Sequence, residues 1–219
     1  MLFMFELETY VLEDEATKGW VVKTVHGVRL VCIAMILHTV YAFAVAVIDY
    51  QPTVIVEDRT SLCDMIDDEI SYVYNLEYTE INEQTCATLS DETRFYRVGS
   101  DPVVSTIEGL NLERDLAWVD LVEVVTWLLI IVAIELVVRL QEHGVTSGTL
   151  ISVAGTTKYF LYLVLFALAA YWGSLSHWLY TWDTFVWIAG FAAIEMNISE
   201  WRDEMLEEQH ETVITGATT

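Results

Sequence analysis

Two long runs of this chain, Leu30 to Ile48 and Tyr159 to Trp182, contain no Asp, Glu, Lys or Arg. Each is long enough for an α-helix to cross a hydrocarbon layer of about 30 Å, which makes lipid the first solvent to consider. The composition agrees: 54% of the 219 residues are apolar and the mean hydropathy is +0.42, too oily for a soluble domain of this size. Two more stretches, Ala117 to Leu140 and Leu179 to Met196, reach spanning length only if they accommodate carboxylates. Those are Asp120, Glu123 and Glu135 in one, Asp183 and Glu195 in the other. A charge near the centre of a lone spanning helix costs about 2.5 to 3.5 kcal/mol on insertion scales, so it faces protein, water or a partner charge. The expected fold is an all-α integral membrane protein: a four-helix transmembrane bundle with a small mixed extracytoplasmic cap inserted between helices 1 and 2.

The expected order is an N-terminal arm (1–27), a first span (28–48), an acidic cap (49–115), a second span (116–140) and a connection (141–157). A third span (158–174), an outer turn (175–178), a fourth span (179–197) and an acidic tail (198–219) follow. Gly155-Thr156-Thr157 favours a third helix that starts near Lys158, leaving Ile151 to Thr157 as an interfacial or bent first turn. Lys18, Lys23, Arg29, Arg139, Lys158 and Arg202 all fall on one side of this topology, while the short connection from Gly173 to Thr181 has no Lys or Arg. The excess of basic residues marks the inner face, which places the chain in the cell (inner) membrane with both termini cytoplasmic. A cleaved leader is the rival reading, but its n-region would be unusually long and acidic.

The net charge of -23 is spread along the sequence. From Asp49 to Asp115 there are 16 acidic and 4 basic residues, a local balance of -12. Such a surface repels nucleic acid and attracts cations or basic protein faces, although solvation alone is sufficient reason for it. The arm mixes Phe3, Phe5, Leu7 and Tyr10 with Glu6, Glu8, Glu13 and Asp14, so as an amphipathic helix its acidic face suits a protein neighbour better than anionic lipid. Within the cap, Ser71 to Tyr74 and Thr93 to Val98 read as strands, Gly99 to Pro102 as a turn, and Thr60 to Ile66 as the opening of a short helix. A segment this small has little core of its own, so Cys63 and Cys86 are expected to form a disulfide. Cys32 reads as an inert buried thiol, and no spacing of Cys or His resembles a metal site. Trp118, Trp172, Trp178 and Trp182 are expected at the outer boundary, with Trp20 and Trp201 near the inner one.

On an ideal helix Asp120, Glu123, Trp127, Ile131, Glu135 and Val138 share a face of roughly 120°. Asp183, Trp187, Phe191 and Glu195 step by four along the last span. Counting depth at about 1.5 Å per residue gives two layers. Asp120, Glu123 and Asp183 form an outer acidic layer with no basic partner in the spans, a candidate cation site. Glu135, Lys158 and Glu195 lie together at the inner side with Arg139 a turn beyond, where Glu135 and Arg139 have helix spacing for an ion pair and Lys158 is available to Glu195 or Glu135. His38, midway along the first span, is a candidate proton relay, with a hydrogen-bonded core histidine as the plainer alternative.

No voltage-sensor arginines, phosphate-cradling loop, nucleophile elbow, paired His-Glu motif or calcium loop is present. The chain reads as a non-enzyme without a cofactor. The leading expectation is a non-catalytic multi-pass membrane subunit or self-assembling scaffold, whose partners are the lipid bilayer and other membrane subunits or copies of itself. The alternative is a cation or proton pathway lined by the carboxylates of the second and fourth spans.

Overall fold

A computed structural model of the chain describes residues 20–142, 148–193 and 195–196. The expected N-terminal arm to residue 19 and the tail from residue 197, with Lys18, Trp201 and Arg202, lie outside the described residues, as does 143–147 of the second connection. The described part is mostly helical with one small sheet. In order it runs α1 (Trp20–Asp49), β1 (Val54–Ile55), a 3-10 helix (Leu62–Asp68), β2 (Ser71–Tyr74), β3 (Glu77–Glu80), β4 (Tyr96–Arg97), β5 (Val103–Ser105), α2 (Ile107–Glu142) and α3 (Thr149–Ser174). Residues 178–193, here α4, are helical too, as are 195–196. Three helices are long and apolar enough to cross a membrane: Leu30–Asp49 within α1, Ile107–Leu140 within α2, and Thr149–Ser174.

The chain divides into two compact units, one of residues 37–124 and the other of the remaining segments. The first holds the sheet, with strand order β1-β4-β5-β2-β3. All neighbours are antiparallel except β2 and β5, where Ser71 faces Val103 and Tyr72 faces Val104. The expected strand at Ser71 to Tyr74 forms as read, whereas that at Thr93 to Val98 contracts to Tyr96–Arg97. Ser61 opens the 3-10 helix through a capping box: its hydroxyl takes a backbone N–H while Asp64 Oδ2 accepts from Ser61 N at 3.0 Å. Arg59 steadies the far end, 2.9 Å from Asp68 Oδ2.

The core of the cap gathers Leu62, Met65, Tyr72, Ile81, Phe95 and Val104 around Cys86. Cys86 is bonded to Cys63, closing a loop of 23 residues in sequence and fixing the 3-10 helix to the loop after β3. A second group, Val73, Val98 and Leu110, joins the sheet to the first turns of α2. This moves a boundary. The second long helix begins at Ile107, not near residue 116, because Thr106 caps it by accepting from Gly109 N at 3.1 Å and Leu110 supplies apolar surface to the sheet. At about 1.5 Å per residue α2 is about 50 Å long, well beyond a hydrocarbon layer of about 30 Å.

The third long helix also starts early, at Thr149 rather than near Lys158. The break in the chain is at Gly148, with φ of 131°, a backbone conformation suited to glycine. Gly155 and its threonines lie inside the helix, where Thr156 satisfies its hydroxyl by donating to Ser152 O at 2.9 Å. In the second unit, Ile130 and Ile134 of α2, Leu161 and Leu165 of α3, and Phe191 of α4 form the buried core.

Candidate functional site

Lys158 and Tyr162 are one turn apart on α3, and both reach the same carboxylate. Lys158 Nζ lies 3.0 Å from Glu195 Oε2, and the Tyr162 hydroxyl donates to Glu195 Oε1 at 2.9 Å. Each oxygen of Glu195 therefore has its own partner. The side chains of Lys158 and Glu195 are 15% and 24% exposed, so water screens the pair weakly and its geometry matters. On α2, Arg139 Nε donates to Glu135 Oε1 at 2.7 Å across one helical turn. Here the arginine is 69% exposed and the glutamate 22%. The pair resembles an ordinary helix-surface ion pair on the side of Arg139, with Glu135 turned toward the packed face.

The aromatic layer next to these ions explains why the helices meet in this register. Trp127 of α2 stacks on Phe191 of α4 with ring centres 5.1 Å apart and meets Trp187 edge-on at 6.5 Å. Such ring contacts are directional and resist sliding of one helix along another. Phe191 and Glu195 are four residues apart, so seating the ring also brings the carboxylate to Lys158 and Tyr162.

The outer acids are arranged differently. Asp120 and Glu123 lie one turn apart on α2, both partly buried, in the unit of residues 37–124. Asp183 is exposed on α4, in the other unit. The step-of-four ridge on α4 does not face one way throughout: Asp183 and Trp187 are exposed while Phe191 is buried. Steps of four advance about 40° per turn around a helix, so the two ends of the ridge diverge by about 120°. Among the described residues no group of three or more His, Cys, Asp or Glu side chains is placed to hold a metal ion. His38 is exposed on α1 rather than set in a core, and Cys32 is only partly buried. Of the tryptophans expected at the outer boundary, Trp118, Trp178 and Trp182 are exposed, whereas Trp172 is 1% exposed and packs against His177 and Tyr180.

A junction that the sequence did not single out stands where the cap meets the helix ends of its own unit. The guanidinium of Arg114 on α2 donates from Nε to Tyr50 O, and from Nη2 to Gln51 O and Thr53 Oγ1, all at 2.7 Å. It holds the chain as it leaves α1. The adjacent Glu113, 1% exposed, accepts from Leu76 N in the β2–β3 turn at 2.9 Å. Asp49, the last residue of α1, accepts from Ser100 N at 2.8 Å. Burial, followed by the neighbouring Tyr78, holds the Tyr50 hydroxyl well above its ordinary value in the protonated form. The available signal was the Glu113-Arg114 dipeptide, an opposite-charge pair near the start of a long helix that is otherwise largely apolar.

No protein-family model, characterised protein or solved structure matches this chain.

Proposed function

We propose that this chain is a non-catalytic, multi-pass subunit or self-assembling scaffold of the cell (inner) membrane, crossing it four times with both termini cytoplasmic and the disulfide-linked cap outside. The observation that carries the reading is the engagement of Glu195 on both oxygens by Lys158 and Tyr162. A carboxylate held this way fixes helix register, and register is what a scaffold must specify. The apolar surface left exposed on the single chain, with Leu30, Met35, Tyr41 and Ile48 of α1 each more than half exposed, suits lipid and neighbouring subunits. The disulfide suits an oxidising outer compartment.

The test is reconstitution of the purified chain in liposomes with recording of cation and proton flux, alongside Asp120→Asn and Glu135→Gln. The proposal expects no flux above protein-free vesicles in any sample, and association with itself or with a co-purifying membrane subunit in detergent. Flux in the wild type that is lost in Asp120→Asn would replace this reading with a cation or proton pathway along the carboxylates of α2 and α4.

A further inference from the structure

The turn between β2 and β3 is strained. Its two central residues, Asn75 and Leu76, have φ of 55° and 61°, the left-handed pair that a two-residue hairpin turn needs and that glycine or asparagine fills most readily. Leucine at the second position has a Cβ that opposes this conformation. The backbone N–H of that same leucine is the group taken by Glu113, whose side chain is buried at the base of the cap. The hairpin held there presents Tyr74 and Tyr78, 45% and 55% exposed.

We infer that Glu113 is a proton-sensitive catch: its ionised carboxylate holds the Asn75–Leu76 turn in the left-handed conformation, and protonation releases the hairpin and changes the surface that Tyr74 and Tyr78 present. A hydrogen bond to an ionised acceptor is about twice as strong as one between neutral groups, so gaining a proton weakens the bond that opposes the strain. Other titratable and charged groups stand near this junction. From the end of α1 comes Tyr50, hydrogen-bonded to Tyr78 of β3 and held protonated by burial. Asp101, from the loop between β4 and β5, acts on Tyr50 in the same direction as Glu113 does. On the helix itself Arg114 is directed to Tyr50 O, Gln51 O and Thr53. The inference concerns the cap alone and holds whether the chain is a scaffold or a pathway.

The experiment is hydrogen exchange on the full-length protein in detergent, read as the protection factor of the Leu76 amide at neutral pH and at successively lower pH. In the wild type, protection at Leu76 should fall about tenfold between neutral and acid pH, the equivalent of one charge-assisted bond becoming a neutral one. In Glu113→Gln it should be low at all pH values. Leu76→Gly removes the backbone strain, so the turn in that variant should stay protected with little pH response. A wild-type profile that is flat, a Glu113→Gln profile that keeps the full pH response, or an undiminished response in Leu76→Gly each overturns the inference. Leu76→Gly alone decides the matter should Glu113→Gln not fold.

Discussion

Lys158 Nζ and Glu195 Oε2 face each other at 3.0 Å between two helices whose sequence positions are far apart, and Tyr162 closes the other oxygen of the same carboxylate. Replacing one partner leaves the other desolvated, while replacing both leaves nothing stranded. Glu195→Gln alone should therefore destabilise by about 2 kcal/mol, and more than Glu195→Gln combined with Lys158→Met. Thermal unfolding of the three proteins in one detergent, arranged as a double-mutant cycle, measures the coupling. Additive losses would show that the two side chains do not act as a pair.

Much of this site was legible in the sequence because helices have a fixed period. The spacing of Glu135 and Arg139 already specifies a pair, and counting residues along the helices already brings Lys158 and Glu195 to one level. Tyr162 escaped because a tyrosine in an apolar span reads as packing, although its four-residue step from Lys158 put it on the same face. Asp183 behaves differently: it steps by four with Trp187, Phe191 and Glu195, and the residual rotation of each step carries it to the exposed side while Phe191 is buried. The helix starts at Ile107 and Thr149 were misplaced for a single reason. Apolar windows locate lipid-compatible sequence, while helices begin where a cap or a glycine lets them, at Thr106 and Gly148.

The disulfide gives the second expectation. Cys63 and Cys86 enclose 23 residues of separation, and closing a loop of that length removes unfolded-state entropy equivalent to about 3 kcal/mol. Cys63→Ser with Cys86→Ser should lower the unfolding midpoint of the cap, and a reductant should do the same to the wild type and nothing to the double variant. Intact-mass analysis before and after alkylation checks that the bond is present in the starting material.

Alkaline pH provides a third. Burial raises the hydroxyls of Tyr50 and Tyr72 above their ordinary value of 10.0, chiefly by desolvation. For an acid that is neutral when protonated, a raised value in the folded state means that folding favours the protonated form. The stabilisation is thus complete below pH 10 and is lost as the pH rises beyond it. Tyr50 is partly buried and Tyr72 is buried in the cap core, and the slope per tyrosine is bounded by about 1.4 kcal/mol per pH unit. Unfolding followed from neutral pH into the alkaline range should show a decline above pH 10, shallower in Tyr50→Phe.

The last expectation concerns how α1 is tied to the cap. Gly99 has φ of 65°, and a Cβ at that position would lie 2.5 Å from Asp49 Oδ2 and 3.0 Å from the Tyr50 ring. Two costs then add in Gly99→Ala: a left-handed backbone with a side chain, and displacement of the carboxylate that accepts from Ser100 N. Together they should amount to about 2 to 3 kcal/mol, seen as a lower unfolding midpoint for the cap. Asp49→Ala removes the carboxylate that crowds the site but leaves the backbone conformation as it is. In the double variant the loss should therefore be smaller than the sum of the single ones by about 1 kcal/mol, the part due to the clash. Strict additivity would mean that the Asp49 carboxylate does not lie against Gly99 in solution.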